Sequence, residues 1–276
     1  MITIYDIIFL TRKSLYGVDK MLLNEFDSNK DAVINPSDLV NEIDNMPEVA
    51  IACFSNVLLE KIVDGGKCMK IGELHNTNGN KTIYDIEYKG KRFALFMMAV
   101  GAPAAVADIE DIHQMGVNKI IVFGNCGVLD DSIDDCAVII PNRALRDEGT
   151  SFHYMEPSRD ILLNKKYVSE FKEILNDFGY SYVEGTTWTT DAFYRETREK
   201  VERRRNEGAI TVEMEASAMQ AVADFRKIDL FTFFYAGDNL SGDEWDKRSL
   251  SGEVKLDEKS RIAYLALELA HKISRD

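Results

Sequence analysis

From Glu48 onward, short apolar runs rich in β-branched residues alternate with segments whose apolar positions recur at helical spacing. No other feature constrains the fold as strongly. Strands separated by helices of this length build a largely parallel sheet with helices on both faces. "VAIACF" (Val49–Phe54) predicts a buried strand, and "SNVLLEKIV" predicts the helix after it, with Ser55 at the N-cap. "KTIYDIEYKGKRFALFMMAVG" predicts a hairpin turning at Lys89-Gly90, and "AAVADIEDIHQMG" predicts a helix ending at Gly116. "NKIIVFGNCG" predicts a strand buried on both faces that runs into a glycine turn, Gly124 to Gly127. Further strands are predicted at "CAVIIP", "SYVEGTTW", "AITVEM" and "DLFTFFYAG". Further helices are predicted at "RDILLNKKYVSEFKEILNDFG", "RETREKVERRRNEG", "EASAMQAVADFRK" and "LDEKSRIAYLALELAHKIS".

Residues 1–47 break this pattern. The polar stretch "FDSNKDAVINPSDLVNEIDNMPE" holds two of the five prolines and predicts turns around a short helix starting near Pro36. A segment this small cannot bury a core of its own, so the expectation is an N-terminal extension packed on a domain of residues 48–276. Asp27, Asn29 and Asp31 imitate the start of a calcium loop. Ala32 stands where the sharp turn needs glycine, however, and Asp38 where a longer bidentate Glu is needed, so a solvated turn is expected and no metal site.

Charge narrows the function classes. Thirty-three basic residues against 47 acidic ones give a net charge of −14. That field repels nucleic acid and anionic membrane, whose binding needs basic patches, but leaves room for a small substrate in a local pocket. Cys53, Cys68, Cys126 and Cys136 form no C-x-x-C pair, so reduced thiols in a cytoplasmic protein are expected. Asp6 interrupts the apolar N-terminus and no basic residue precedes it, so it does not predict a signal peptide. No apolar run reaches the ~20 residues of a membrane span.

The chemistry gathers at strand ends. In "TVEMEASAM" the acids Glu213 and Glu215 flank Met214 where a strand gives way to a helix, and residues two apart on extended chain face one side. A helix start alone also favours acids, through the macrodipole. "FFYAGDNLSGDEW" places Asp238 beyond a strand ending at Gly237, and "TTWTTDAFYRET" presents Phe193 and Tyr194, rings suited to stacking on a flat ligand. Acids and aromatics at the carboxyl ends of neighbouring strands suit a polar, planar substrate.

In order and spacing, "GNCGVL", "RDEGTSFHY", "TTDAFYRET", "VEMEASA" and "GDNLSG" resemble the nucleoside phosphorylase family, over roughly Val49 to Ser274. The resemblance implies a three-layer α/β/α phosphorylase/hydrolase-like domain with a mixed, mainly parallel central sheet. It implies a pentosyltransferase that cleaves the N-glycosidic bond of a nucleoside with phosphate as co-substrate and no other cofactor. Its nucleoside or nucleobase ligand would sit on Phe193, its ribose on Met214 and Glu215 with Glu213 beside them, and Asp238 would assist the departing base. A homodimer or homohexamer is implied as well. Asp238 matches purine-cleaving members, whereas "RDEGTS" and "TTDAFYRET" match uridine-cleaving ones, and the base stays open. Arg195 and Arg198 follow the Phe-Tyr pair, where uridine-cleaving members carry a Gln and an Arg.

The phosphate site departs from the family. Its glycine and arginine after the first strand correspond to Phe54 and Leu58; its second arginine and its loop Ser or Thr correspond to Val122 and Asn125. Gly124 and Asn125 thus mark a degenerate phosphate loop. Hydrogen bonds to charged groups contribute ~1.5–3 kcal/mol each, so losing two arginines weakens phosphate by ~3–6 kcal/mol. Arg143, Arg146 or a neighbouring subunit's residue are the replacements available. Water as acceptor, or nucleoside binding without catalysis, are the alternatives. His153 is expected at the surface or an interface, Cys126 in packing, and "REKVERRR" on a solvated helix face.

Overall fold

The structure, a computed structural model, describes residues 21–274 apart from positions 78 and 252. The N-terminal apolar stretch and the first part of the extension lie outside the described residues. In chain order the elements begin α1 (Pro36–Leu39), β1 (Val49–Cys53), α2 (Asn56–Asp64), β2 (Cys68–Leu74), β3 (Lys81–Tyr88) and β4 (Lys91–Met97). They continue with α3 (Ala102–Gln114), β5 (Lys119–Val128), β6 (Val138–Asp147), β7 (Asp160–Leu162), α4 (Val168–Asp177) and β8 (Tyr182–Thr190). The last are α5 (Arg198–Asn206), β9 (Ala209–Glu213), α6 (Ala216–Arg226), β10 (Asp229–Asn239) and α7 (Leu256–Ile273).

The strands form one mixed sheet. From the β2 edge it runs β2-β3-β4-β1-β5, and β4, β1, β5 and β10 are mutually parallel along their shared ladders. Beyond β5 the sheet closes on itself. β5 pairs antiparallel with β9, β9 parallel with β8, β8 parallel with β6, and β6 antiparallel with β10, which returns to β5. The closed part ends several strands around one opening, and that is where a ligand can meet residues from all of them.

Alternation along the strands sorts the core into two layers. Val49, Ile51 and Cys53 face a cluster with α2, α4 and α7, while Ala50 and Ala52 face a second cluster with α3 and α6. The small residues lie on the side where Ala102, Ala105, Ala218 and Ala223 bring the helices close. On the first side aromatic rings fill the gap; Phe171 and Phe233 lie 4.6 Å apart between centroids. Sheet and helices form the three α/β/α layers that the sequence implies.

Two local expectations change. The sequence reading starts a helix at Arg159, but Asp160–Leu162 pairs with β6 and the helix begins at Val168. The reason lies between them. Asn164 and Tyr167 have φ of 50° and 68°, and the buried Asn164 amide bonds Pro141 O and Thr232 O at 2.8 and 2.7 Å. That clamp between β6 and β10 needs a left-handed residue, which no helix accommodates. Second, Gly124 to Gly127 is not a turn: β5 runs straight through it, pairing Asn125 with Tyr235 and Gly127 with Val212. Neither glycine has a positive φ. They are there for close approach. A Cβ on Gly124 would stand 2.7 Å from the Phe54 ring, and one on Gly127 2.6 Å from Leu240 Cδ1. The edge strand β2 had no sequence assignment.

Residues 21–47 lie against the domain. Ile43 N donates to Met115 O at 3.1 Å, Arg226 reaches Lys30 O at 3.1 Å, and Phe26 meets Phe225 edge-on at 6.5 Å. Asp27 and Asn29 spend side-chain oxygens on the backbone N–H groups of Asn29 and Asp31.

Candidate active site

A cavity of about 730 Å³ opens at the carboxyl ends of β5, β9 and β10, where α/β sheets place their ligands. Phe193, Glu213, Met214, Glu215, Asp238, Gly124 and Asn125 all line it. These seven residues, singled out from the sequence, therefore share one cavity.

The two glutamates of the Glu213-Met214-Glu215 phrase differ in what they do. Glu213 is filled on both oxygens. Thr189 and Thr187 hydroxyls donate to Oε1 at 2.6 and 3.3 Å, and the N–H groups of Glu215 and Ala216 donate to Oε2 at 2.7 and 2.6 Å. It caps α6 and fixes the backbone on either side of Met214. Burial raises its pKa above the ordinary carboxyl range, and the four donors oppose that. A second acid strengthens the same corner: Glu148, from the "RDEGTS" phrase, accepts from Ser217 Oγ at 2.8 Å and Ser151 N at 2.9 Å.

Glu215 is left open. Its Oε1 accepts Gly101 N–H at 2.6 Å, and only backbone groups, those of Gly101 and Met214, reach its carboxyl among the described residues. Burial, and then the charge of Glu213, push its pKa up to about 8. A buried carboxyl with spare acceptor capacity suits a ligand that brings hydroxyl donors.

Asp238 sits inside β10 and not beyond it. The strand continues to Asn239, and a bulge between Ala236 and Asp238 leaves Gly237 unpaired and aims Asp238 at the cavity. Its Oδ2 accepts Trp245 Nε1–H at 2.7 Å. Burial raises its pKa and the Trp245 bond partly offsets this. Gly127 makes room for the group, since a Cβ there would lie 3.0 Å from Val212 and 3.2 Å from Asp238 Oδ1. Gly127→Ala is accordingly expected to lower stability by ~1–3 kcal/mol, the usual cost of overpacking, seen as an earlier denaturation midpoint. A midpoint unchanged from the parent would show that β10 yields without strain.

Phe193 and Tyr194 form a 3₁₀ turn at the mouth, their rings 4.0 Å apart, with Phe193 50% exposed and Tyr194 87%. The next residue but one, Glu196, also lines the cavity, and the sequence reading passed over it. Burial, and then Asp238, push its pKa up to about 7. Its only sequence signal is its place after the Phe-Tyr pair, where attention fell on the arginines.

The end matching the phosphate loop is apolar. Phe54 covers Gly124, while Leu58 and Val122 are buried in the cores and face away from the cavity. Arg143 and Arg146 are occupied elsewhere. Arg143 contacts Thr186 and Asp160, and Arg146 bonds Ser151 Oγ, Glu156 O and Ser158 Oγ. Arg198 is the one cation among the described lining residues, and its guanidinium holds Leu240 O and Asp243 O at 2.8 Å each. Cys126 is buried and its thiol pKa is driven far up by that burial, which keeps it unreactive. His153 is exposed and lies outside the lining. Among the described residues, no helix is long and apolar enough to cross a membrane.

Comparisons with known proteins agree with one another. The family model described as the phosphorylase superfamily matches residues 48–273. A guanosine phosphorylase of Halorubrum lacusprofundi is 26% identical over 151 residues, covering 55% of this chain and 63% of that relative, so the match spans under two thirds of its length. Among solved structures, a uridine phosphorylase of Vibrio fischeri superposes with a TM-score of 0.71 at 21% identity, covering 84% of this chain and 95% of that one. A purine nucleoside phosphorylase of Toxoplasma gondii, bound to immucillin-H, gives 0.71 at 18%, covering 82% and 91%.

Proposed function

The chain belongs to the phosphorylase superfamily, and on that footing we propose that it cleaves the N-glycosidic bond of a purine or pyrimidine nucleoside and passes the sugar to phosphate. One observation carries this reading: the open carboxyl of Glu215 shares a cavity with Asp238 and Phe193. Glu215 and Met214 take the ribose, whose hydroxyl bonds strengthen as the sugar becomes oxocarbenium-like. The nearby carboxyl also opposes the positive charge that develops there. Phe193 stacks on the base. Asp238, whose pKa is raised by burial, is placed to protonate the base as it leaves. Glu213 positions Met214 and Glu215 by capping α6.

A second reading concerns the acceptor. Phe54 lies over Gly124, and the only lining cation among the described residues is spent on backbone carbonyls. Water needs no cationic cradle, so this arrangement favours hydrolysis. If phosphate does bind here through neutral donors worth ~0.5–1.5 kcal/mol each, two or three of them give millimolar affinity at best. A cation from a second copy in a homodimer or homohexamer would raise it.

The test is base release from a panel of purine and pyrimidine nucleosides across a phosphate titration. Release that requires phosphate and yields ribose 1-phosphate supports phosphorolysis, with no saturation expected below ~1 mM. Release without phosphate, yielding free ribose, transfers the assignment to hydrolysis. Binding without release under every condition overturns catalysis.

A further inference from the structure

Lys259 stands in the first turn of α7, where the helix dipole opposes a cation, and it is only 2% exposed. No carboxylate pairs with it among the described residues, and burial lowers its pKa. Asp135, whose charge acts on it, is engaged by Ser249 Oγ at 2.6 Å and Lys255 Nζ at 3.0 Å. What the Lys259 ammonium holds is backbone. Its Nζ donates to Ser249 O and, at 2.7 Å, to Ser251 O, and it lies 5.9 Å from the centre of the Tyr235 ring. A buried cation that meets only neutral acceptors is costly, and packing alone does not call for one.

The residue between those two carbonyls is Leu250, which lines the cavity. It belongs to a strap, residues 240–251, whose carbonyls are taken by cations from the elements around it. Arg198 holds Leu240 O and Asp243 O at 2.8 Å each, Arg205 reaches Ser241 O at 3.4 Å, and Lys259 holds the far end. Between these anchors Asn239 and Asp246 exchange backbone bonds of 2.8 and 3.1 Å, and Trp245 gives its Nε1–H to Asp238. The Trp245 and Leu250 side chains are exposed, so core packing does not fix them. The anchors on the carbonyls do.

We propose that Lys259, which lies outside the cavity, is a positioning residue: by clasping Ser249 O and Ser251 O it seats Leu250 in the cavity wall and keeps Trp245 on Asp238. An ammonium suits the task, because it offers several donors at one point and its bonds are stronger than those of a neutral group. A wall contact acts alike on the bound substrate and on the transition state, so the clasp supports nucleoside binding more than the chemical step. That half rests on nucleoside cleavage in this cavity; the contact between Trp245 and Asp238 does not.

The experiment reads each half separately on the full chain. With two tryptophans in the sequence, a nitrogen-15 spectrum resolves both indole N–H groups. Trp188, buried with its Nε1 on Asp147 at 3.0 Å, reports the core, and Trp245 reports the strap. In Lys259→Met, which keeps the length and removes the donors, the Trp245 signal should move towards that of a solvated indole and no longer respond to Asp238→Asn. The Trp188 signal should stay in place. KM for the accepted nucleoside should rise about tenfold, the share of one buried leucine, while kcat changes by less than about threefold. Leu250→Ala, at an exposed position, should reproduce the KM rise and leave Trp245 bonded. A Trp245 signal in Lys259→Met that still answers to Asp238→Asn, or a parental KM in Leu250→Ala, overturns the proposal. If Lys259→Met loses the Trp188 signal and so fails to fold, Lys259→Gln decides, since its amide can hold one carbonyl: a displaced Trp245 signal supports the clasp and a parental one overturns it. A parent that binds no nucleoside removes the reading of the cavity, and the indole signals still decide the clasp.

Discussion

Glu215→Gln is expected to lower kcat/KM for nucleoside cleavage by about two to four decades, through kcat more than KM. Two sugar hydroxyls donating to a carboxylate contribute ~1.5–3 kcal/mol each, and ~3–6 kcal/mol converts to that range of rate. Above about pH 8, where Glu215 is ionised, the loss falls on kcat because the charged oxygens matter most when the sugar carries positive charge. Glutamine keeps a carbonyl that still accepts the Gly101 N–H, so the backbone at Gly101 has no cause to move. Steady-state kinetics and nucleoside affinity check this. A variant with parental turnover and affinity would remove Glu215 from the sugar site.

The same substitution has a stability signature that needs no substrate. The folded pKa of Glu215 is pushed up to about 8, above its ordinary value of 4.5. For a carboxyl raised in this direction, the native state holds the extra proton between those values, so stability falls as pH rises from about 4.5 to about 8 and is level beyond. Glutamine is neutral throughout. Relative to the parent, Glu215→Gln should therefore gain stability as pH rises through this window and show no gain at pH 4. Thermal melting across pH reads the difference. Part of the burden belongs to Glu213, whose charge sits beside Glu215 and adds to the cost of ionising it.

These acids also mark how far the sequence could be read. The alternation of strands and helices carried the layers, because apolar periodicity reports burial directly; Ser55 caps α2 as its position implied, accepting from Leu58 N at 3.3 Å. The spacing of Glu213 and Glu215 placed both at one cavity, but spacing carries no partners. Glu213's role follows from Thr187 and Thr189 on β8, more than twenty residues earlier, and a ladder between β8 and β9 that no local pattern encodes. The glycines of β5 misled for a related reason. A glycine is legible as conformational freedom, whereas here it marks space taken by Phe54 and Leu240 from other elements. Glu196 was missed because a lone acid in a charged stretch has a bland local reading, and only the closure of the sheet brings it into the same cavity as Asp238.

Asp238→Asn is the second large effect, a loss of ~10²–10⁴ in kcat, the usual contribution of a positioned general acid. The bulge at Gly237 and the space at Gly127 hold the carboxyl in the cavity, and asparagine is near-isosteric there. It can still donate a hydrogen bond to the base but has no proton to transfer. The loss should thus depend on the leaving group. A nucleoside methylated at N7 carries a fixed positive charge and departs without an acid, so its cleavage should be nearly unaffected by the substitution. The parent's activity on ordinary nucleosides should decline as pH rises through the Asp238 pKa, which burial has moved above the usual carboxyl range, while the N7-methylated substrate shows no such decline. Equal losses on both substrates would mean that Asp238 positions the base and does not protonate it. Trp245 bonds the ionised oxygen and so holds the pKa down; without that bond the decline would move to higher pH still.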